Sequence, residues 1–342
     1  MQKSSPPKVL FLDKAHPYLE AYLTAHGFEC HTDTASPREV VAELVHEYQG
    51  IVMRSRFAID KAFLEKAHNL VFLAREGVGI EHIDVGYAAS KGIKVLVSPE
   101  GSRDTVAEHA LGLLLCLMNN LSRADRQVRH GQWVREANRA TELKGKTVGI
   151  LGYGNMGSAL AQRLAGFGVK TLAYDRYRTG FGDAYAEEAS LERLLEEADV
   201  VSAHFPYSAE NHYFINEKLL TSFKKSIFLV NTARGLILNT ADLVTQLKAG
   251  KVLGAALDVL EYEETSFDKF RLDQLPPDFN YLCQADNVVL SPHIAGWSFE
   301  SKEKHAKVLG EKIVAGMRDE GGAGGFLKNH GCSISCPTQR FF

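Results

Sequence analysis

The sequence predicts an α/β protein with two doubly wound domains, each built on a parallel sheet with helices on both faces. The chain has 342 residues, more than one compact core usually holds, so two domains are expected. Short apolar runs alternate with helical patterns in both halves, which is typical of βαβ units. A glycine motif, of a kind that joins a strand to a helix, begins at Gly152.

The first hundred residues contain five strand-like runs. These are Val9–Leu12, Glu29–His31, Gly50–Met53, Leu70–Leu73 and Lys94–Val97. Apolar residues at helical spacing lie between them, over Pro17–His26, Pro37–Tyr48 and Asp60–His68. This alternation predicts one parallel sheet.

A long apolar helix is predicted from Val106 to about Leu121, with Asp104 or Thr105 as its N-cap. Six strands follow, namely Thr147–Leu151, Thr171–Tyr174, Val200–Phe205, Ile227–Asn231, Val252–Val259 and Val288–Leu290. Helices are predicted over Met156–Phe167, Leu191–Glu197 and Ala241–Ala249. In the doubly wound order 3-2-1-4-5-6, strands four, five and six lie side by side, next to strand one.

A final amphipathic helix is predicted over about Glu300–Arg318, although both sheets look complete without it. If it packs on the first half, the first domain is discontinuous. We therefore predict one domain of residues 1–100 and 296–319, and a second of residues 101–295. Residues 320–342 are Gly-rich and lose periodicity, so a disordered tail is expected there.

The composition favours a small-molecule partner. With 45% hydrophobic residues, 24% charged residues and a net charge of -3, nothing points to nucleic acid or a membrane as a partner. The longest apolar run, Ala110–Met118, is too short to span a bilayer, and the N-terminus lacks the features of a signal peptide. A cytoplasmic location is therefore expected.

Five cysteines cannot all pair within the chain, and Cys30, Cys116 and Cys283 lie in ordinary segments, so reduced thiols are expected. His330, Cys332 and Cys336 lie close together in the sequence. They lack the paired spacing of a zinc site, and no metal is predicted.

The glycine motif predicts a dinucleotide site. It runs Gly152-Tyr153-Gly154-Asn155-Met156-Gly157, between a strand and a helix. The three glycines permit the tight turn, the close approach of a pyrophosphate and helix–strand packing, and the helix N-terminus attracts the phosphates. Asp175 stands 18 positions beyond Gly157, where an acid binds the ribose hydroxyls and favours NAD. Arg176 and Arg178 follow it and leave NADP open.

Three polar residues follow the carboxyl ends of successive predicted strands: Arg234, Glu263 and His293. Ligands of doubly wound sheets bind outside these strand ends. Arginine binds a carboxylate through two N–H groups, histidine moves a proton near neutral pH, and a glutamate orients the imidazole. Singly, each residue has an ordinary structural explanation, and for Glu263 that explanation is favoured. Together they predict a dehydrogenase of hydroxy acids.

The chain resembles the D-isomer-specific 2-hydroxyacid dehydrogenase family, and its phosphoglycerate dehydrogenase-like members without a C-terminal regulatory domain, over about residues 8 to 319. The resemblance is carried by Gly77-Val78-Gly79 with Ile83-Asp84, Val106-Ala107-Glu108-His109, Gly152 to Gly157, Val230 to Gly235, Ala256-Leu257-Asp258-Val259 and Ser291 to Gly296. It implies a flavodoxin-like substrate domain and a Rossmann NAD-binding domain with a cleft between them. A homodimer through the nucleotide domains is also implied.

The resemblance also assigns roles to residues. Arg234, Glu263 and His293 match the family's catalytic set. The positions it places at the cofactor are Thr105, Tyr153, Asn155, Met156, His204, Phe205, Pro206, Thr232, Ala233 and Asp258. Gly77, Val78 and Gly79 would offer backbone N–H groups to the substrate carboxylate.

Three departures bear on the substrate: a long segment over 264–287, Glu264 in place of the family's proline, and Ser102-Arg103-Asp104. Arg54 and Ser55, with Arg56, end a strand where two arginines could hold a phosphate or simply lie in solvent. We therefore expect 3-phosphoglycerate, oxidised to 3-phosphohydroxypyruvate, as the leading substrate. Reduction of glyoxylate or hydroxypyruvate is the alternative.

A different class of function is an NAD-sensing binding protein, like the transcriptional corepressors that share this fold. The complete set of Arg234, Glu263 and His293 favours turnover instead. Formate-oxidising relatives would carry glutamine in place of Glu263.

Overall fold

The computed structural model describes residues 5–263 and 276–319, and within it the chain divides into two compact units. Among the described residues, the first unit takes 5–102 and 298–319, and the second takes 103–263 and 276–297. The predicted domains divide the chain after residues 100 and 295. The predicted tail lies outside the described residues.

The sheet of the first unit has, among the described residues, five parallel strands in the order β2-β1-β3-β4-β5. They are β1 (Lys8–Phe11), β2 (Glu29–Thr32), β3 (Gly50–Met53), β4 (Phe72–Arg75) and β5 (Lys94–Val97). Between them lie α1 (Pro17–Ala25), α2 (Arg38–Leu44), α3 (Lys61–Lys66) and α4 (Val85–Ser90). Asp60 and Asp84 cap α3 and α4 by accepting hydrogen bonds from backbone N–H groups. This strand order is the flavodoxin-like one.

The second unit holds, in its described part, a seven-stranded parallel sheet in the order β12-β11-β10-β9-β6-β7-β8. Its strands are β6 (Thr147–Leu151), β7 (Lys170–Tyr174), β8 (Glu187–Glu188), β9 (Val200–Ala203), β10 (Ile227–Asn231), β11 (Val252–Leu257) and β12 (Val288–Leu290). Its helices are α5 (Arg103–Met118), α6 (Leu121–Arg129), α7 (Asn155–Leu164), α8 (Leu191–Glu197), α9 (Glu217–Ser222), α10 (Thr240–Lys248) and α11 (Pro277–Gln284). All residues of β6 and β9 are buried, as expected for strands covered on both faces.

The strand order corrects one prediction from the sequence. The strand at Val200 was counted as the third and expected beyond β7, but β9 pairs directly with β6. The third position belongs to β8, whose two glutamates give no apolar signal. As a result, β9 lies between the strand of the glycine motif and β10, the strand that precedes Arg234.

The last helix, α12 (Phe299–Asp319), belongs to the first unit. Its Leu309 and Ile313 are fully buried in a cluster with residues of α1, β1 and β4. His305 hydrogen-bonds Ser98 through Nδ1 at 2.8 Å, and Lys312 donates to the carbonyl of Val97 at 2.9 Å. No helix in the described ranges has the length and apolar character needed to cross a bilayer.

Candidate active site

The carboxyl edge of the second sheet is aligned by its register. One row of paired residues crosses six strands, in the order Tyr174, Leu151, Ala203, Asn231, Leu257 and Leu290. The residues that follow them form what we call the edge row: Asp175, Gly152, His204, Thr232, Asp258 and Ser291. All of these except Ser291 are cofactor residues predicted from the sequence. The parallel register therefore gathers five predicted residues, far apart in sequence, at one edge.

The three glycines of the motif differ in how closely other atoms of the chain surround them. Gly152 has a φ of 91°, and a Cβ there would lie 2.9 Å from backbone atoms of His204 and Phe205. A Cβ on Gly157 would overlap the carbonyl oxygen of Gly152, so helix and turn pack closely only around glycine. Gly154 faces open space, with no atom within 4 Å of an added Cβ. The fold therefore requires Gly152 and Gly157 and leaves room beside Gly154.

Asp175 takes part in folding the turn after β7. Its Oδ2 accepts a hydrogen bond from the backbone N–H of Tyr153 at 2.9 Å, and its Oδ1 accepts from those of Tyr177 and Arg178. The guanidinium of Arg178 donates to the carbonyl oxygen of Tyr153 at 2.6 Å, and Arg176 lies 3.7 Å from Glu210. Both arginines therefore have partners within the chain beside the predicted ribose site.

His204 and Thr232 place polar atoms in a buried position on the edge row. The Nε2 of His204 lies 2.7 Å from Ser202 Oγ, and burial lowers the pKa of this imidazole to about 4. Within the described residues, His204 Nδ1 and Thr232 Oγ1 have no hydrogen-bond partner. Buried polar groups are normally paired, so these atoms, the open space at Gly154 and the N-terminus of α7 fit a polar, phosphate-containing cofactor.

Glu263 and His293 form a pair. The carboxylate Oε2 of Glu263 lies 2.5 Å from Nδ1 of His293, and its other oxygen accepts a hydrogen bond from the backbone N–H of Leu260. His293 has a φ of 54°, a left-handed conformation that is rare for a residue with a side chain. Both side chains keep some exposure, 24% for His293 and 19% for Glu263, so a substrate can reach the ring.

Asp258 holds the loop that carries His293. Its carboxylate is fully buried and accepts hydrogen bonds from Ser291 Oγ and from the backbone N–H groups of Ile294 and Ala295. Burial alone raises the pKa of Asp258, but hydrogen bonds, the largest from His109, outweigh it and lower the pKa. In this structure Asp258 is thus a support of the histidine loop.

Arg234 follows β10 on a loop that packs against the Glu263 segment. A Cβ on Gly235 would overlap the carbonyl group of Leu260, so glycine permits this close approach. Asn231, which is fully buried, accepts a hydrogen bond from Ala233 N and donates one to the carbonyl oxygen of Arg234. The guanidinium of Arg234 donates to Ala233 O at 2.7 Å.

The remaining predicted cofactor residues also lie in the second unit. Thr105 lies in the first turn of α5, which begins at Arg103, three residues before the predicted Val106. Asn155 and Met156 open α7. Phe205 contacts Phe214, and Pro206 accepts a hydrogen bond from Asn211.

The predicted substrate residues belong to the first unit. Gly77 follows β4 with a φ of 146° and precedes Val78 and Gly79. Arg54 and Ser55 follow β3, and the backbone N–H of Arg54 donates to Asp13 Oδ2 at 2.6 Å.

Arg56 has a structural role that the sequence did not show. Its guanidinium donates to the carbonyl oxygens of Leu12 at 3.1 Å and Asp33 at 2.7 Å, and also to that of Ser36. Near Arg54 lies Glu76, which accepts a hydrogen bond from His16 N. Burial raises the pKa of Glu76, whereas that hydrogen bond and the charge of Arg54 act in the opposite direction.

In the ranges 5–263 and 276–319, no group of three or more His, Cys, Asp or Glu residues is arranged to hold a metal ion. The candidates His330, Cys332 and Cys336 lie outside those ranges.

Comparisons with known proteins connect this geometry to a family. Residues 111–295 match the family model of the D-isomer specific 2-hydroxyacid dehydrogenase, NAD binding domain. The glyoxylate reductase of Thermofilum pendens is 36% identical over 295 residues, which cover 84% of each chain. The D-3-phosphoglycerate dehydrogenase of Archaeoglobus fulgidus is 35% identical over 86% of this chain, but over only 54% of its own length.

Among solved structures, the D-lactate dehydrogenase from Aquifex aeolicus, complexed with NAD and lactic acid, is similar with a TM-score of 0.76 at 28% identity. The match covers 92% of this chain and 96% of that one. The predicted fold class and the predicted cofactor NAD are confirmed. The chain therefore belongs to the D-isomer specific 2-hydroxyacid dehydrogenase family of NAD-dependent oxidoreductases.

Proposed function

We propose that this chain interconverts a small, unphosphorylated 2-keto acid and its D-2-hydroxy acid, with Arg234, Glu263 and His293 as the catalytic residues. The observation that carries the proposal is the 2.5 Å contact between Glu263 and Nδ1 of His293 at the sheet edge that bears the glycine motif. We assign the second ring nitrogen, Nε2, to the proton exchange with the substrate oxygen.

Held at the glycine turn, NADH would supply the hydride for C2 of the keto acid. His293, protonated at both ring nitrogens, gives its Nε2 proton to the carbonyl oxygen, and in oxidation it takes that proton back. Glu263 stabilises the imidazolium through Nδ1 and fixes the ring orientation. The guanidinium of Arg234 binds the substrate carboxylate and polarises the carbonyl.

We assign cofactor binding to the second unit. That Gly77, Val78 and Gly79 of the first unit offer backbone N–H groups to the substrate carboxylate stays a prediction. Around the cofactor, the glycine turn and the N-terminus of α7 would hold the pyrophosphate, and Thr232 and His204 would face the ribose and adenine parts. Contacts of Asp175 with the ribose and of Asp258 with the nicotinamide stay predictions.

The surroundings of the two arginines favour a substrate without phosphate. The guanidinium of Arg56 already donates to three backbone carbonyls, so it offers little to a phosphate. The charge of Arg54 acts on the neighbouring Glu76, and Asp13 accepts from its backbone. The first relatives named for glyoxylate and hydroxypyruvate reduction match over 84% and 87% of their length. We therefore place glyoxylate or hydroxypyruvate ahead of 3-phosphoglycerate, which led from the sequence alone.

A substrate screen tests this order. We expect NADH-linked reduction of glyoxylate or hydroxypyruvate to exceed NADH-linked reduction of 3-phosphohydroxypyruvate by about tenfold or more in kcat/KM, which corresponds to about 1.4 kcal/mol of differential transition-state binding. Arg54→Ala should change both activities by similar factors, and Lys61→Ala, on an exposed residue of the same unit, should change neither. A preference for 3-phosphohydroxypyruvate that Arg54→Ala abolishes selectively would reverse the order.

We also propose a homodimer, as the resemblance implies. Helix α6 has no buried residue, and nearby apolar side chains are widely exposed: Leu121 by 55%, Val128 by 52% and Trp133 by 81%. Exposed apolar patches of this kind mark association surfaces. Light scattering should give twice the mass of one chain, and a monomer at micromolar concentration would contradict the proposal. The cytoplasmic location stays a prediction.

A further inference from the structure

Ser291 is the member of the edge row to which the proposed function gives no role. It opens the loop that carries His293, and its Oγ lies between two side chains of the same unit. The distances are 2.6 Å from Ser291 Oγ to Asp258 Oδ1 and 3.1 Å from Ser291 Oγ to His109 Nε2. His109 lies on α5, and its Nε2 is 3.4 Å from the same oxygen of Asp258. These contacts connect a core helix to the histidine loop.

The direction of the hydrogen bonds among His109, Ser291 and Asp258 follows from the charge of the carboxylate. The lowered pKa of Asp258 keeps it ionised, and an ionised carboxylate only accepts hydrogen bonds. The hydroxyl of Ser291 must therefore donate to Asp258. The Oγ of Ser291 can then only accept a hydrogen bond from His109. The Nε2 of His109 therefore carries a hydrogen and is the donor to Ser291.

The carboxylate of Asp258, at the end of this series of hydrogen bonds, fixes the loop that carries His293. Asp258 Oδ1 accepts from Ile294 N at 2.9 Å and Oδ2 accepts from Ala295 N at 2.8 Å. The backbone N–H of His293 donates to the carbonyl oxygen of Asp258 at 2.7 Å. A left-handed φ of 54° at a residue with a side chain persists only where the surroundings impose it. Asp258 supplies that constraint, and Ser291 and His109 orient Asp258.

We propose that Ser291 and His109 are positioning residues for His293. Through Asp258 they hold the loop 291–295 in the conformation that places the imidazole on Glu263. The inference rests on the proposed acid/base role of His293. It adds that the hydroxyl of Ser291, and the donor that His109 presents to it, determine how well that role is performed. Neither side chain touches the substrate in this scheme.

Substitutions that remove or restore each donor test the proposal on the full chain, with glyoxylate and hydroxypyruvate as probes. Ser291→Ala should lower kcat by about ten- to a hundredfold, because a shift of about 1 Å in a catalytic group has effects of that size. The melting temperature should fall by only a few degrees, because Asp258 keeps its two backbone N–H donors in Ser291→Ala. Ser291→Thr keeps the hydroxyl and should stay within about threefold of wild type. His109→Leu should lower kcat, and His109→Gln, which retains a donor, should recover most of it. His46→Leu, on an exposed histidine of the first unit, is the matched control.

The split between kcat and KM distinguishes positioning from a loss of folded enzyme. Glu263 contacts the ring at Nδ1, so a displaced loop weakens the contact that orients the imidazole. Orientation of the imidazole acts in the proton transfer, so kcat should fall in Ser291→Ala while the KM for glyoxylate stays within about threefold of wild type.

Unchanged kcat in Ser291→Ala would overturn the inference. Equal losses of kcat in Ser291→Ala and Ser291→Thr would overturn it too. Either result leaves the proposed function standing if His293→Ala is inactive. Unchanged turnover in His293→Ala would instead remove the proposed function.

Discussion

Replacing His293 by alanine is expected to lower kcat for keto-acid reduction by about a hundredfold or more, since the substitution removes a positioned general acid. NADH affinity should persist, because the glycine turn, His204 and Thr232 lie on other strands of the edge row. Stopped-flow measurement of hydride transfer and a separate titration of NADH fluorescence check the two statements.

The left-handed backbone at His293 calls for a second substitution. Asparagine adopts this conformation more readily than most residues, so His293→Asn removes the acid with little backbone cost. Both variants should be equally slow, and His46→Ala, at an exposed histidine of the first unit, should retain wild-type rates. If His293→Asn turned over normally, the proton would have to come from another group, and the pair with Glu263 would be structural.

Glu263 and His293 show what a sequence of this kind allows to be predicted. Each follows a strand whose apolar run ends abruptly, and the parallel register brings the ends of those strands to one level. The strands therefore bring Glu263 and His293 to the same edge, and loop contacts such as those of Asp258 with Ile294 and Ala295 fix the final position of the imidazole. The glycine motif was predictable for the same reason, because it joins β6 to α7 with no intervening loop.

The features that the sequence did not reveal depend on contacts between distant segments. The sequence did not show that β9 lies beside β6. The position beyond β7 belongs to β8, whose two glutamates give no apolar signal. Arg56 resembled a phosphate ligand because nothing in Arg54-Ser55-Arg56 shows that carbonyls of three other positions surround its guanidinium. Ser291 and His109 were visible only as parts of motifs, since 182 residues separate them. The spacing of apolar residues predicts where a strand ends, but it does not identify the hydrogen-bond partners of the side chains.

The second prediction with a large effect concerns the glycines of the motif. One substitution should affect folding, and another should affect cofactor binding. Gly157→Ala should lower the stability of the second unit by about 1–3 kcal/mol, the usual cost of overpacking, because the new methyl group overlaps the carbonyl oxygen of Gly152. The melting temperature of the protein without cofactor measures this loss.

Gly154→Ala should behave in the opposite way. The new methyl group meets no atom of the chain, and the backbone at Gly154 is extended, with a φ of -94°, so the melting temperature without cofactor should stay close to wild type. The methyl group occupies the space through which a pyrophosphate approaches the turn, so NADH affinity should fall by about tenfold or more, or about 1.4 kcal/mol. Added NADH should then raise the melting temperature of Gly154→Ala less than that of wild type. Full NADH affinity in Gly154→Ala would mean that the cofactor does not pass close to this backbone, and the assignment of the turn to the pyrophosphate would have to be abandoned even though the turn is correctly folded.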